Sequence, residues 1–146
     1  MNLYVDTSCL VKRYVDEPHR DEVLEWIAAA DTVATSRVSY PETAAAIAAR
    51  HRLGHISLEQ VQWALQDLAD RWAQYLVIDL AEFRAAELAV KHALHGFDAV
   101  QLAAAVEVSA RSQAVGLSCT MISADAELNT AAMAEGLRVI DPNNHP

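Results

Sequence analysis

The sequence predicts an α/β fold of three layers, with helices on both faces of a central, mainly parallel sheet of short strands. Three observations carry this. Short apolar, strand-like runs alternate with helix-like segments along the whole chain. The runs are apolar throughout rather than alternating, as strands covered on both faces are. Only 4 Gly and 4 Pro occur in 146 residues, too few for the many turns of an all-β fold, while alanine is abundant and favours helices.

Residues 2–5 form the first strand, ending in Asp6-Thr7-Ser8, a cluster able to cap a helix over 9–15. Pro18 breaks that helix, a second is expected over 20–30, and residues 32–35 read as a strand. Ser39-Tyr40-Pro41-Glu42 fits a capping box that opens a helix running to Leu53, where Gly54 stops it. A longer helix over 57–75 places Val61, Leu65, Leu68, Trp72 and Leu76 on one apolar face. These paired helices form an all-helical excursion from the alternating pattern. Residues 76–78 are a strand candidate, and the next helix carries Phe83, Ala86, Val90 and Leu94 on one side up to Gly96. A helix over 97–113, a strand over 119–122, a short helix over 125–134 and a strand over 138–140 complete the pattern. One domain is expected over 1–141, with residues 142–146 frayed.

Composition bounds the function. The apolar fraction is 53% and the charged fraction 21%, which excludes wholesale disorder. The longest run free of Asp, Glu, Lys and Arg is residues 112–124, too short for the roughly 20 residues of a spanning helix. The first residues lack the basic and apolar segments of a secretory signal, so a cytoplasmic location is expected. Cys9 and Cys119 have neither metal-ligand nor redox-motif spacing and read as free thiols. With 20 acidic against 11 basic residues, the net charge of −9 argues against a protein that coats nucleic acid by bulk charge. A nucleic-acid enzyme whose metal ions supply the positive charge remains open.

Four acids stand out by position. Asp6 and Asp125 follow strands at the sheet edge where ligands bind in open α/β folds. Glu42 and Asp98 each sit in the first turn of a helix, above small or apolar stripes: Ala45, Ala46 and Ala49 for Glu42, and Gln101, Leu102 and Ala105 for Asp98. A carboxylate there lies along buried surface, where an unpartnered charge costs several kcal/mol. Helix capping and the macrodipole are the competing explanation for each acid taken singly.

Four pieces occur in order: Asp6-Thr7-Ser8, an isolated Glu42 opening an Ala-rich helix, Asp98-Ala99-Val100-Gln101-Leu102-Ala103-Ala104-Ala105, and Ser123-Ala124-Asp125-Ala126-Glu127-Leu128. Together they resemble the PIN domain, specifically the VapC-type ribonuclease toxins of toxin–antitoxin pairs, along the whole chain. The resemblance implies a PIN-like α/β/α fold and an acidic pocket holding Mg2+ or Mn2+. It implies Asp6, Glu42, Asp98 and Asp125 as the metal-binding, catalytic carboxylates. Thr7 or Ser8, and Ser123, would be the hydroxyls that orient them. It further implies an RNA substrate cut to 5′-phosphate and 3′-hydroxyl ends, a cognate antitoxin protein and a homodimer. Gln101 stands where many relatives carry histidine, and Ser123 where threonine is frequent; neither departure falls on an expected metal ligand.

The chemistry is consistent with that set. Two carboxylates about 4 Å apart repel by roughly 4 kcal/mol at an effective dielectric of 20, so a converging group needs a proton or a divalent cation. Hard oxygen donors favour Mg2+ or Mn2+ over zinc, and a metal-activated water is the expected nucleophile on the phosphodiester. Lys12, Arg13 and Arg37 lie near the pocket segments and are the expected phosphate contacts. The pairs His51/His55 and His92/His95 flank helix-ending glycines and read as poor metal pairs, and Trp26, Trp63 and Trp72 read as core or interface. A dehalogenase-type phosphatase would want an aspartate where Ser8 stands, and a receiver domain a lysine after a late strand. The remaining rival is a non-catalytic PIN-like interaction module.

Overall fold

A computed structural model describes residues 1–145 of the chain. Five strands form one sheet: β1 (Asn2–Val5), β2 (Thr32–Ser36), β3 (Leu76–Ile78), β4 (Cys119–Ile122) and β5 (Arg138–Ile140). Their order is β3-β2-β1-β4-β5, and every neighbouring pair is parallel. Leu3 stands between Val33 and Thr120, and Tyr4 between Ala34 and Met121.

The central strands are buried on both faces, which explains their unbroken apolar character. Tyr4, Ala34, Ile78 and Met121 join a core with helices α5 (Glu82–His92), α6 (Gly96–Ala114) and α7 (Ala126–Ala134). Leu3, Val5 and Ile122 point the other way, onto Cys9 and Leu10 of α1 (Thr7–Leu10) and Val23 and Ile27 of α2 (Arg20–Ala29). The expected helix over 9–15 is thus a single α turn followed by a 3-10 turn at Val11–Arg13. The helical excursion is present as α3 (Ser39–Arg52) and α4 (Leu58–Trp72), packed around Tyr14, Ile47, Ala64 and Leu68. Gly54, at φ +76°, turns the chain between them, and the His55 amide closes back on the Arg50 carbonyl.

Three local expectations are corrected. The capping box is not at Ser39, which is fully buried at the start of α3, where no side chain caps the helix. It is at Ser57 and Gln60, which cap α4 reciprocally at 3.1 and 2.7 Å. Helix α5 does not bury its larger residues: Phe83 and Val90 are more than four-fifths exposed, and Ala85 and Leu88 face the core instead. The neighbour of α5 is the alanine-rich α6, and close approach of small residues selected the alanine–leucine stripe. In α4, Ala64 and Leu68 are buried while Leu65 is exposed, and Leu76, expected on the same helical face, instead opens β3 and is exposed too.

The end of the chain departs from the frayed tail expected over 142–146. Pro142–Asn144 form a 3-10 turn capped by Asp141; Pro142 is buried, and the Asn143 side-chain amide donates to the Ala124 carbonyl at 3.2 Å. His145 meets Trp26 edge-on at 5.1 Å. Residue 146 lies outside the described residues. No helix among the described residues is long and apolar enough to cross a membrane.

Candidate active site

The strand order fixes where side chains can converge. From β1 the chain moves outward through β2 to β3, then crosses to the other side for β4 and β5. The crevice at such a reversal, beyond the carboxyl ends of β1 and β4, is where open parallel sheets hold ligands. Asp6 follows β1 directly, and Ser123 and Asp125 follow β4.

Asp6 caps α1 and is 4% exposed. Its Oδ1 accepts from the Ser8 hydroxyl at 2.5 Å and the Cys9 amide at 3.3 Å, and its Oδ2 from Ser123 Oγ at 3.1 Å. Burial pushes its carboxyl up to about 6 despite those bonds from Ser8, Cys9 and Ser123, and the Asp125 charge pushes the same way. Ser123 Oγ also accepts the Asp125 amide at 3.1 Å, and Ser8 Oγ the Ala124 amide at 2.9 Å. Asp125 caps α7 through the Leu128 amide at 2.8 Å. Asp6 and Asp125 thus each cap a helix at the sheet edge, and Ser123 bonds to both.

Glu42, in the first turn of α3, accepts from Thr7 Oγ1 at 3.0 Å. The adjacent hydroxyls divide the work: Thr7 serves Glu42 and Ser8 serves Asp6. Asp98, in the first turn of α6, is held above the usual carboxylate range by burial first and then by Asp125; His95 acts against this, and Glu42 and Glu127 add to it. The Asp125 charge thus acts on both Asp6 and Asp98, and the Glu42 charge on Asp98. Ser123 bonds Asp6, as a hydroxyl expected to orient the carboxylates would, and Gln101 Nε2 lies 3.2 Å from Glu42 Oε1, a contact the sequence did not indicate.

Among the described residues, none of the four carboxylates is paired with a lysine or arginine. Several acids elsewhere are treated differently. Glu17 is held by Lys12 and Arg50, Asp67 by Arg13 and Arg71, and Glu135 by Arg84, Lys91 and His92. No group of three or more His, Cys, Asp or Glu among the described residues stands ready as a metal cage. All-oxygen donors without a cationic partner suit Mg2+, which retains several waters and is commonly held by one or two carboxylates.

The expected phosphate contacts fare less well. Lys12 is 3% exposed, donating to the Pro18 carbonyl at 2.8 Å and to Glu17 at 3.3 Å, so it braces a turn and is not open to a phosphate. Arg13 is held by Asp67 at 3.4 Å. Arg37 is exposed just past β2 and pairs with Asp79 at 2.5 Å. His92 bonds Glu135 at 2.7 Å, and His51 lies 2.9 Å from the Ile56 carbonyl, so neither pair is free. Cys9 is buried and Cys119 half-buried, both as free thiols.

The profile of the PIN domain family matches residues 3–132. The chain belongs to that family. This PIN domain is 34% identical over 140 residues to Ribonuclease VapC45 of Mycobacterium tuberculosis, covering 94% of this chain and 93% of the relative. Its fold is similar to FitAcB from Neisseria gonorrhoeae, with TM-score 0.66 and 15% identity over 98% of this chain and 99% of the other. It is also similar to a toxin–antitoxin complex from Klebsiella pneumoniae, with TM-score 0.56 and 17% identity over 96% and 97%.

Sequence reasoning underrated two residues of the pocket. Tyr4 reads as one more apolar strand residue, and Gln101 as a continuation of the stripe below Asp98. The available signal was a lone amide within a run of alanine and leucine, which has to find polar partners when buried.

Proposed function

We propose that this PIN domain is a Mg2+- or Mn2+-dependent endoribonuclease acting in the cytoplasm as the toxin of a toxin–antitoxin pair. The observation that carries the reading is the set Asp6, Glu42, Asp98 and Asp125 at one sheet edge, none of them paired with a lysine or arginine among the described residues, with hydroxyls or backbone amides bonding Asp6, Glu42 and Asp125. The ribonuclease name of the 34% identical relative supports the substrate class.

In this reading Asp6 and Asp98, with Asp125 and Glu42, hold the divalent ion. A divalent ion held there would supply Lewis acidity toward the scissile phosphate and lower the pKa of a water that serves as nucleophile. Ser8 and Ser123 fix both oxygens of Asp6, and Thr7 fixes one oxygen of Glu42, so the carboxylates need little rearrangement as charge develops. The partner reading rests on the structural neighbour described as a toxin–antitoxin complex. A basic side chain of the antitoxin would meet the carboxylates that this chain leaves without one. A homodimer belongs to the same proposal.

The test is cleavage of RNA with Mg2+ or Mn2+ by wild type and Asp98→Asn, followed by sequencing of the new ends. The expected result is metal-dependent cutting, stopped by EDTA and reduced at least 100-fold in the variant. Equal cutting by both proteins refutes the site assignment. Absence of cutting together with absence of metal binding favours a non-catalytic interaction module.

A further inference from the structure

Behind the candidate ligands lies a buried polar network centred on Gln101, which is 2% exposed in a helix otherwise lined by alanine and leucine. The Tyr4 hydroxyl donates to Gln101 Oε1 at 2.6 Å. Gln101 Nε2 lies 2.9 Å from Thr7 Oγ1, 2.9 Å from Ser39 Oγ and 3.2 Å from Glu42 Oε1. Thr7 Oγ1 is 3.0 Å from the same Glu42 oxygen. Thr35 Oγ1 lies 2.7 Å from the Val5 carbonyl and 2.8 Å from Ser39 Oγ.

The protons can be assigned by counting. The Val5 carbonyl can only accept, so Thr35 donates to it and Ser39 donates to Thr35. Ser39 Oγ then accepts from one Gln101 amide hydrogen. The other hydrogen goes to Thr7 Oγ1, whose own hydrogen goes to Glu42. Both Gln101 hydrogens are used, its oxygen is satisfied by Tyr4, and each hydroxyl has one acceptor. The reversed amide would put an oxygen toward Thr7, Ser39 and the Glu42 carboxylate, where it would meet like partial charge. The donors therefore run one way, from Tyr4 through Gln101 and Thr7, and end on Glu42 Oε1.

We propose that Gln101, anchored by Tyr4, is a positioning residue for Glu42: through Thr7 it occupies Oε1 and turns Oε2 toward the metal pocket. The inference rests on the metal-dependent reading above. It gives the departure from histidine at this position a physical role, because an amide supplies two donors and one acceptor where neutral imidazole supplies one of each. Groups that orient ligands in this way commonly affect metal affinity by 10- to 100-fold.

The test uses the full chain without RNA. Mn2+ binding is measured by calorimetry for wild type, Gln101→Met, Thr7→Val and Glu42→Gln, and for each of the first two variants combined with Glu42→Gln. Gln101→Met and Thr7→Val are each expected to weaken binding about tenfold, and neither to weaken it further once Glu42 is Gln. A role confined to packing would give the same loss in both backgrounds, which overturns the proposal; so does unchanged affinity in Thr7→Val. Thermal unfolding monitors folding, and Thr7→Val carries the test if Gln101→Met does not fold. A second readout separates this inference from the function it rests on: the side-chain amide protons of Gln101, followed by NMR in metal-free protein. Two protected signals, one of them lost in Thr7→Val, support the relay. If they appear while wild type takes up no Mn2+, the metal reading falls and the relay stands. Unprotected signals in wild type overturn the relay.

Discussion

Asp6 shows what a site costs before its ligand arrives. Its carboxyl titrates near 6 in the fold against 3.8 for an ordinary aspartate, because burial disfavours the charge. Between about pH 4 and 6 the unfolded chain has already lost this proton while the folded chain keeps it. The folded state therefore loses stability as pH rises through that window, by roughly 3 kcal/mol in total, and the stabilising protonated form is complete only below about pH 4. In EDTA, Asp6→Asn is expected to be more stable than wild type at pH 7.5, by up to this amount, and to show no such gain at pH 4. Denaturant unfolding at the two pH values checks it. A variant less stable than wild type at pH 7.5 would show that the three hydrogen bonds to the carboxylate outweigh its burial. At this scale each of the four acids taken singly was ambiguous between capping and a ligand site, and only the ordered set, through its resemblance to the PIN domain, singled them out; Asp6 and Asp125 do cap helices. Lys12 was misread for a physical reason: a cation near an acidic pocket in sequence can be consumed by a local carbonyl and a nearby glutamate. Neither partner has a sequence signature.

At the scale of the element, the structure separates two serines that look alike in sequence. Ser57 closes a capping box on an exposed helix start, so Ser57→Ala should cost about 1 kcal/mol and leave metal binding alone. Ser39 is a link in the network behind Glu42. Its loss leaves buried donors and acceptors unmatched and should cost more, about 1–3 kcal/mol. Helix α5 offers a second comparison. Leu88→Ala should destabilise by about 2–5 kcal/mol, whereas Phe83→Ala should change stability by less than about 0.5 kcal/mol, as followed by thermal unfolding. Helix positions and types were readable from periodicity and glycine stops. Which stripe of α5 turned inward was not, because it depends on how small the facing α6 residues are. Side-chain volume along one segment cannot report that.

Across the whole molecule, all-parallel pairing and the reversal between β1 and β4 bring residue 6 beside residues 123–125, and the unbroken apolar strands had announced such a sheet. The closing turn at Pro142–Asn144 was not announced, since a short run of Pro and Asn looks like an unstructured end. Its Asn143 amide braces Ala124, between the serine and the aspartate of the pocket. Removal of residues 142–146 is expected to lower the melting temperature and also to weaken Mn2+ binding. Lowered melting with unchanged Mn2+ affinity would confine the turn to a packing role.

The position of β4, inserted between the first strand and the last, has a consequence for partial chains. No amino-terminal fragment ending short of Ile122 can build the centre, however much of α1 to α6 it contains. Products of premature termination, or of proteolysis upstream of that strand, lack the β4 pairing of β1 and the Ser123 bond to Asp6, so they are expected neither to fold nor to bind Mn2+.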